Sequence, residues 1–189
     1  MKKILIITLT GLLLAACSDE NNNSDVEENN QTTTDTSTDN EEASEEKKIY
    51  QIGETAVITS DMYDFDYEVT VDNFELTKEV DGIKIEEFLT GAREEHRFAV
   101  VDVTIKNISD ESYVPHEMFS ANFATEDQLG GEVSNDEFFT EGDKELQPDQ
   151  EVKGRLVYTT RVDEADTFIL KYEFTSDEET HFELPNPES

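Results

Sequence analysis

The chain has 189 residues, with 47 Asp/Glu against 14 Lys/Arg and a net charge of −33. Such a field repels phosphate, which argues against nucleic acid and anionic lipid as partners. A single cysteine excludes a disulfide within the chain, and the length leaves room for one ordinary domain.

The N-terminus opens with Lys2 and Lys3, followed by an apolar run over residues 4–14 broken only by Thr8, Thr10 and Gly11. That run is too short to span a bilayer, which takes about 20 residues. It suits a secretory signal peptide over residues 1–16, with small residues at the cleavage point. A buried N-terminal helix is the other reading, but residues 18–46 offer only Val26 and Ala43 to pack on it.

Leu14-Ala15-Ala16-Cys17 resembles the bacterial lipobox. The resemblance implies a diacylglycerol on the Cys17 sulfur and cleavage that leaves Cys17 as the first residue. Each buried CH₂ contributes about 0.8 kcal/mol to membrane binding, so two or more long chains form a durable anchor. The expected location is the cell membrane, lipid-anchored, on the extracytoplasmic face. Residues 17–48 read as this cysteine followed by a disordered acidic linker. Residues 18–46 carry eleven acidic side chains, no basic ones, and too little apolar surface to offset the entropy of ordering.

Residues 49–189 read as the folded domain. In 97–107, Ala99, Val101, Val103 and Ile105 share one face, while Phe98 and Val100 add apolar weight to the other. That pattern predicts a central strand covered on both sides. Residues 151–161 and 167–174 alternate in the same period of two. Residues 67–76 alternate and then change phase, which predicts a β-bulge at Asp72-Asn73. Shorter strands are expected at 56–59, 83–88, 121–126 and 181–184. Asp81-Gly82, Gly130-Gly131, Pro148-Asp149 and the polar loop at 107–112 punctuate them. The expected fold is all-β, an antiparallel β-sandwich of seven to eight strands. The longest irregular stretch is 130–146.

The order YQIGETAVI, YEVTVDNFEL, FAVVDVTIKNISDESY, FSANFATEDQLGGE, LQPDQEVKGRLVYTT and FILKYEF resembles a bacterial domain-of-unknown-function family. That family occurs in secreted and lipid-anchored proteins, chiefly of Gram-positive bacteria. Its most specific parts here are V-x-V-x-I-x-N-x-S at 101–109 and L-x-P-x-x-x-V-x-G-x-L-V-Y at 146–158. Asp149 stands where the family usually has Gly, and Asp tolerates the same turn. The resemblance implies an immunoglobulin-like fold similar to telokin and the mycobacterial immunoprotective extracellular protein, and it implies no catalytic residue.

Motifs for chemistry are sparse. His96, His116 and His181 show no short ligand spacing for zinc and read as isolated histidines. Serine-nucleophile and phosphate-loop motifs are absent, so no enzyme is expected and no catalytic residue is assigned. Calcium is the one cofactor worth weighing, with two candidate donor sets. Asp64, Asp66 and Glu68 are expected on one strand face, and Asp136, Glu137, Glu141 and Asp143 in the long loop beside Gly142. The alternative is that they are solvated carboxylates. Phe138 and Phe139 either fold back onto the sheet or form an exposed contact patch. The leading expectation is a non-catalytic binding or interaction module at the cell envelope. Its partners would be the membrane through Cys17 and an envelope protein or cationic partner. The alternatives are a structural or protective envelope component without a specific ligand and a weak calcium-binding domain. The acidic residues are spread through the domain, so the charge reads first as a solvated adaptation to a salty or alkaline setting, with attraction of cations or basic partners as the alternative.

Overall fold

A computed structural model describes residues 49–60, 62–118, 121–174 and 179–189, all within one compact unit. The segments expected as a signal peptide (1–16) and as a lipidated Cys17 with an acidic linker (17–48) lie outside the described residues. In chain order the elements are β1 (Ile49–Gln51), β2 (Thr55–Ser60), β3 (Phe65–Thr77), β4 (Glu79–Val80), β5 (Ile83–Lys84) and the helical turn α1 (Ile85–Phe88). There follow β6 (His96–Asn107), the turn α2 (Pro115–Met118), β7 (Ala121–Thr125) and β8 (Glu132–Val133). Two 3-10 turns, Asp136–Phe138 and Thr140–Asp143, lead to β9 (Glu151–Arg161), β10 (Thr167–Tyr172) and β11 (Thr180–Pro185). Among the described residues no helix is long and apolar enough to cross a membrane.

Two sheets form the sandwich. One runs β1-β11-β10-β7-β8 and the other β2-β3-β6-β9. Every pairing within them is antiparallel except β1 on β11, which is parallel. The core between them takes Val69 and Val71 from β3, Val101 and Val103 from β6, Leu156 from β9, Phe123 from β7, Leu170 from β10 and Leu184 from β11. These are the inward positions of the period-two pattern, so burial of alternate residues decides the fold. Where β3 crosses β6 the register shifts between Val71 and Asn73. Asp72 is the extra residue, as the phase change in the sequence requires.

The outer face of β6 is also apolar, and a second cluster covers it. Phe98, Val100 and Val157 there meet Val80, Ile85 and Phe138. The lid is the excursion from β4 to α1. Its tip, Asp81-Gly82, has φ of 51° and 83°, the pair of positive angles that a two-residue hairpin demands. Residues 83–88 are therefore not one strand. The strand ends at Lys84, and α1 turns Ile85 down to complete burial against the outer face of β6.

At one end of the sandwich Asn186 holds the closing turn. Its Nδ2 donates to the Val162 and Ala165 carbonyls, both at 2.8 Å, and its Oδ1 accepts from the Glu188 amide at 2.9 Å. Toward the other end the core is rich in tyrosine. Burial pushes the hydroxyls of Tyr67, Tyr158, Tyr172 and Tyr113 well above the ordinary value of 10.0, with Glu173 adding to the effect at Tyr67. Above pH 10 the unfolded chain releases these protons while the folded chain keeps them, so stability is full below about pH 10 and falls as pH rises. The slope reaches about 1.4 kcal/mol per pH unit for each tyrosine. A pH titration followed at the tyrosinate absorbance should therefore show cooperative ionisation coincident with unfolding. Stepwise ionisation of all six tyrosines near pH 10 in a folded protein would contradict it.

Candidate functional site

A concave feature lies where β3 begins and β6 ends. It is a cleft of about 680 Å³ whose lining includes Tyr63, Phe65 and Tyr113 together with Asp64, Asp66, Asp110 and Glu111. The antiparallel register pairs Tyr67 with Asn107, so the segment before β3 and the loop after β6 must meet at this end. Phe65 and Tyr113 stack at 4.6 Å between centroids, and Tyr63 continues the row at 6.4 Å from Phe65. The Tyr63 hydroxyl donates to the Glu117 carbonyl at 3.1 Å, which fixes the ring although it is largely exposed. Asp64 sits in the left-handed region, φ 57°, and its amide donates to the Ser60 carbonyl at 2.8 Å. The Thr59 hydroxyl donates to Asp66 at 2.6 Å.

The loop side of the cleft is organised by Asn107, which is fully buried. Its Nδ2 donates to the Glu111 and Leu146 carbonyls at 2.7 and 3.1 Å. Its Oδ1 accepts from the Ser109 amide at 2.9 Å and from the Ser109 hydroxyl at 2.8 Å. Both amide protons and both acceptor directions are thus used, so the group is buried without an unmet bond. Its main chain ties the same point to the 146–150 turn, where the Asp149 amide donates to the Asn107 carbonyl at 2.9 Å. Asp149 has φ 63°, so it does adopt the glycine-like turn position after Pro148.

The two carboxylate sets expected for calcium are not assembled. β3 starts at Phe65, so Asp64 lies in the preceding turn and not on a strand face with Asp66 and Glu68. Asp66 is engaged by Thr59, and the Glu68 carboxylate lies 3.9 Å from Lys106 Nζ. In the long loop, Asp143 meets His116 Nδ1 at 3.0 Å, Glu141 pairs with Lys144, and Asp136 opens a separate 3-10 turn. Among the described residues no three His, Cys, Asp or Glu come together in a way that could hold a metal ion. The geometry offers calcium no cage there. The other histidines are also locally engaged. His96 Nδ1 accepts from the Arg93 amide at 3.0 Å, and His181 Nε2 lies 2.6 Å from Glu179.

Phe138 and Phe139 are buried, at 9% and 3% exposure, so packing and not an exposed patch is their role. They enter opposite faces of β9, the edge strand of its sheet. Phe138 joins Phe98 and Val157 outside, whereas Phe139 enters the main core and meets His116 edge-on at 5.1 Å. Beside them the Asn135 amide donates to the Val157 carbonyl at 2.9 Å, and the Ser134 hydroxyl accepts from the Val157 amide at 3.1 Å. The loop thereby caps a strand edge that could otherwise pair with another chain. The cleft residues missed in the sequence, Tyr63, Tyr113, Asp110 and Glu111, carry no spacing motif. Only the pairing of β3 with β6 brings them together.

The profile of a family described as a domain of unknown function, DUF4352, matches residues 50–181. Several solved structures are similar, three of them as follows. A conserved hypothetical protein from Bacillus anthracis is 19% identical with TM-score 0.44, over 67% of this chain and 95% of that one. An uncharacterized β-sandwich protein from Clostridium difficile 630 is 20% identical with TM-score 0.42, over 74% and 96%. The secreted protein MPT63 from Mycobacterium tuberculosis is 11% identical with TM-score 0.43, over 72% and 95%. No curated protein matches the sequence.

A Cβ at Gly154 would overlap the Phe139 ring, so this glycine is the seat of the loop. Gly154→Ala should cost about 1–3 kcal/mol in urea unfolding by forcing the ring out. The double variant Gly154→Ala/Phe139→Leu should recover part of that loss. A Gly154→Ala protein with unchanged midpoint would show that Phe139 is not seated there.

Proposed function

The chain belongs to the DUF4352 family of domains of unknown function, and on that premise we propose that it is a non-catalytic binding module. In this reading it is held at the outer face of the cell membrane by lipid on Cys17. It recognises a basic segment of an envelope protein. The anchor rests on the residues of the N-terminus alone: two lysines, a short apolar run and Leu14-Ala15-Ala16-Cys17. The acidic segment of 18–46 would then set the domain off the membrane surface by roughly 30 Å or more.

The observation that carries the binding reading is the cleft at the start of β3. A row of aromatic rings, Tyr63, Phe65 and Tyr113, is flanked by the carboxylates of Asp64, Asp66, Asp110 and Glu111. A lysine or arginine brings a hydrocarbon stem for the rings and a cationic head for the carboxylates. An anionic ligand would meet repulsion from both the cleft and the whole chain. Because Asn107 and the Tyr63 hydroxyl bond hold the two walls, the cleft is formed before a partner arrives, which lowers the ordering cost of binding.

The test is calorimetric titration with hexaarginine at physiological salt. The expected result is saturable binding that Asp64→Asn/Asp110→Asn weakens about tenfold, since each screened ion pair contributes up to about 1 kcal/mol. Asn keeps the left-handed backbone at position 64 accessible. The matched variant Glu86→Gln/Glu87→Gln, in α1, should bind like the parent. Equal losses in the two double variants would mean diffuse attraction to an acidic surface, and the cleft reading would fail.

A further inference from the structure

We propose that β2 is a docking edge, and that an extended basic segment of a partner protein adds to it as an antiparallel strand. The two sheets of the sandwich end at β1 and β8 and at β2 and β9. An open edge offers unpaired main-chain groups to other chains, so folds normally protect it. Three of the four edges are protected here. β8 has two residues and β1 has three. β9 is charged at Glu151, Lys153, Arg155 and Arg161, and Ser134 and Asn135 cap it at Val157.

β2 has none of these devices. Its six residues, Thr-Ala-Val-Ile-Thr-Ser, include no charge and no proline, in a chain of net charge −33. It pairs with β3 along its whole length without a register shift, so the edge is regular. Among the described residues, the main chain of 55–59 makes no hydrogen bond beyond its ladder with β3. Val57, in the middle of the strand, is 59% exposed on the outer face. An added strand would take its affinity from the main chain and its specificity from the alternate side chains it meets.

Charge decides the occupant. Val57 pairs with Glu68 and Thr59 with Asp66, so β3 lays two carboxylates on the outer face, one strand in from the edge. A lysine on the added strand would rest its stem on Val57 and carry its ammonium toward Glu68, across two strand spacings of about 5 Å each. At the far end of β2, Ser60 pairs with Phe65 and its carbonyl accepts from the Asp64 amide, so the same segment runs on into the acidic cleft. The basic character of the segment rests on the binding reading of that cleft, whereas the open edge does not. A second copy of the chain would also satisfy the main chain, but it would set two strongly acidic domains edge to edge. The acidic stretch of 18–46 in the same chain meets the same repulsion.

The experiment uses the nitrogen-15-labelled full chain and the probe acetyl-Lys-Thr-Lys-Val-Lys-Thr-amide at physiological salt. Two further probes carry N-methyl groups on one or the other alternate set of residues, so each keeps its charge and loses the donors of one edge. The unmethylated probe is expected to bind saturably and to slow the exchange of alternate amides within 55–59, those not bonded to β3. One methylated probe should bind like the unmethylated one, and the other at least tenfold more weakly. The cleft variant Asp64→Asn/Asp110→Asn should weaken all three probes and preserve the contrast between the methylated pair. Absence of saturable binding overturns the proposal. Equal binding of the two methylated probes overturns it as well, while leaving the cleft reading intact. Without probe, slow exchange of those alternate amides at every protein concentration would show that the chain covers its own edge. Slowing that grows with protein concentration would show a second copy there, and either result also overturns the proposal. Failure of the hexaarginine test with the contrast preserved would instead remove the cleft reading and leave the docking edge.

Discussion

The structure turns on one buried carboxamide. Asn107 ends the central strand β6, and there the chain must leave the sheet without stranding polar groups in the core. Its side chain satisfies the Glu111 and Leu146 carbonyls and the Ser109 amide at once. A buried polar group is costly unless every one of its bonds is made, so this arrangement admits few substitutes. The Leu146 carbonyl also accepts from the Tyr113 amide, and the Leu146 amide donates to the Tyr113 carbonyl at 2.7 Å. One amide therefore fixes the loop, the return of the chain toward β9, and the aromatic wall that Tyr113 presents to the cleft.

A second constraint comes from β6 being apolar on both faces. A two-layer sandwich covers only the inner one. The outer face of Phe98 and Val100 needs its own cover, which the β4-to-α1 excursion and Phe138 provide. Burying a phenylalanine contributes about 2 kcal/mol, so drawing Phe138 and Phe139 out of an acidic loop is favourable despite the entropy lost. The cost falls on Gly154, which must stay without a side chain to admit the Phe139 ring. The two family-specific stretches of the sequence thus have physical content. One supplies the inner face of β6 and Asn107 with Ser109. The other supplies Leu146, the Pro148-Asp149 turn and the glycine beneath Phe139.

Much of the fold was legible because alternation reports burial directly. The inward residues of β3, β6, β9 and β10, the bulge at Asp72 and the Asp81-Gly82 hairpin all follow from period and turn chemistry. Local pattern and structure part where tertiary contact overrides the pattern. Residues 83–88 alternate like a strand, yet Ile85 reaches its burial through a helical turn. Two-residue strands such as β8 are too short to leave a periodic trace. Carboxylates close in sequence do not converge in space here: Asp66 and Glu68 share a strand face, where successive residues lie about 6.6 Å apart, and Asp136 and Asp143 belong to separate 3-10 turns. The cleft was invisible for the converse reason, since its walls lie more than 40 residues apart and are joined only by strand register.

The most direct measurement is amide hydrogen exchange on Asn107→Ala, combined with urea unfolding. The account predicts a loss of about 2–3 kcal/mol and collapse of protection at Ser109 and Tyr113, with protection in β10 and β11 retained. Unchanged stability and undiminished protection at Ser109 and Tyr113 would contradict it.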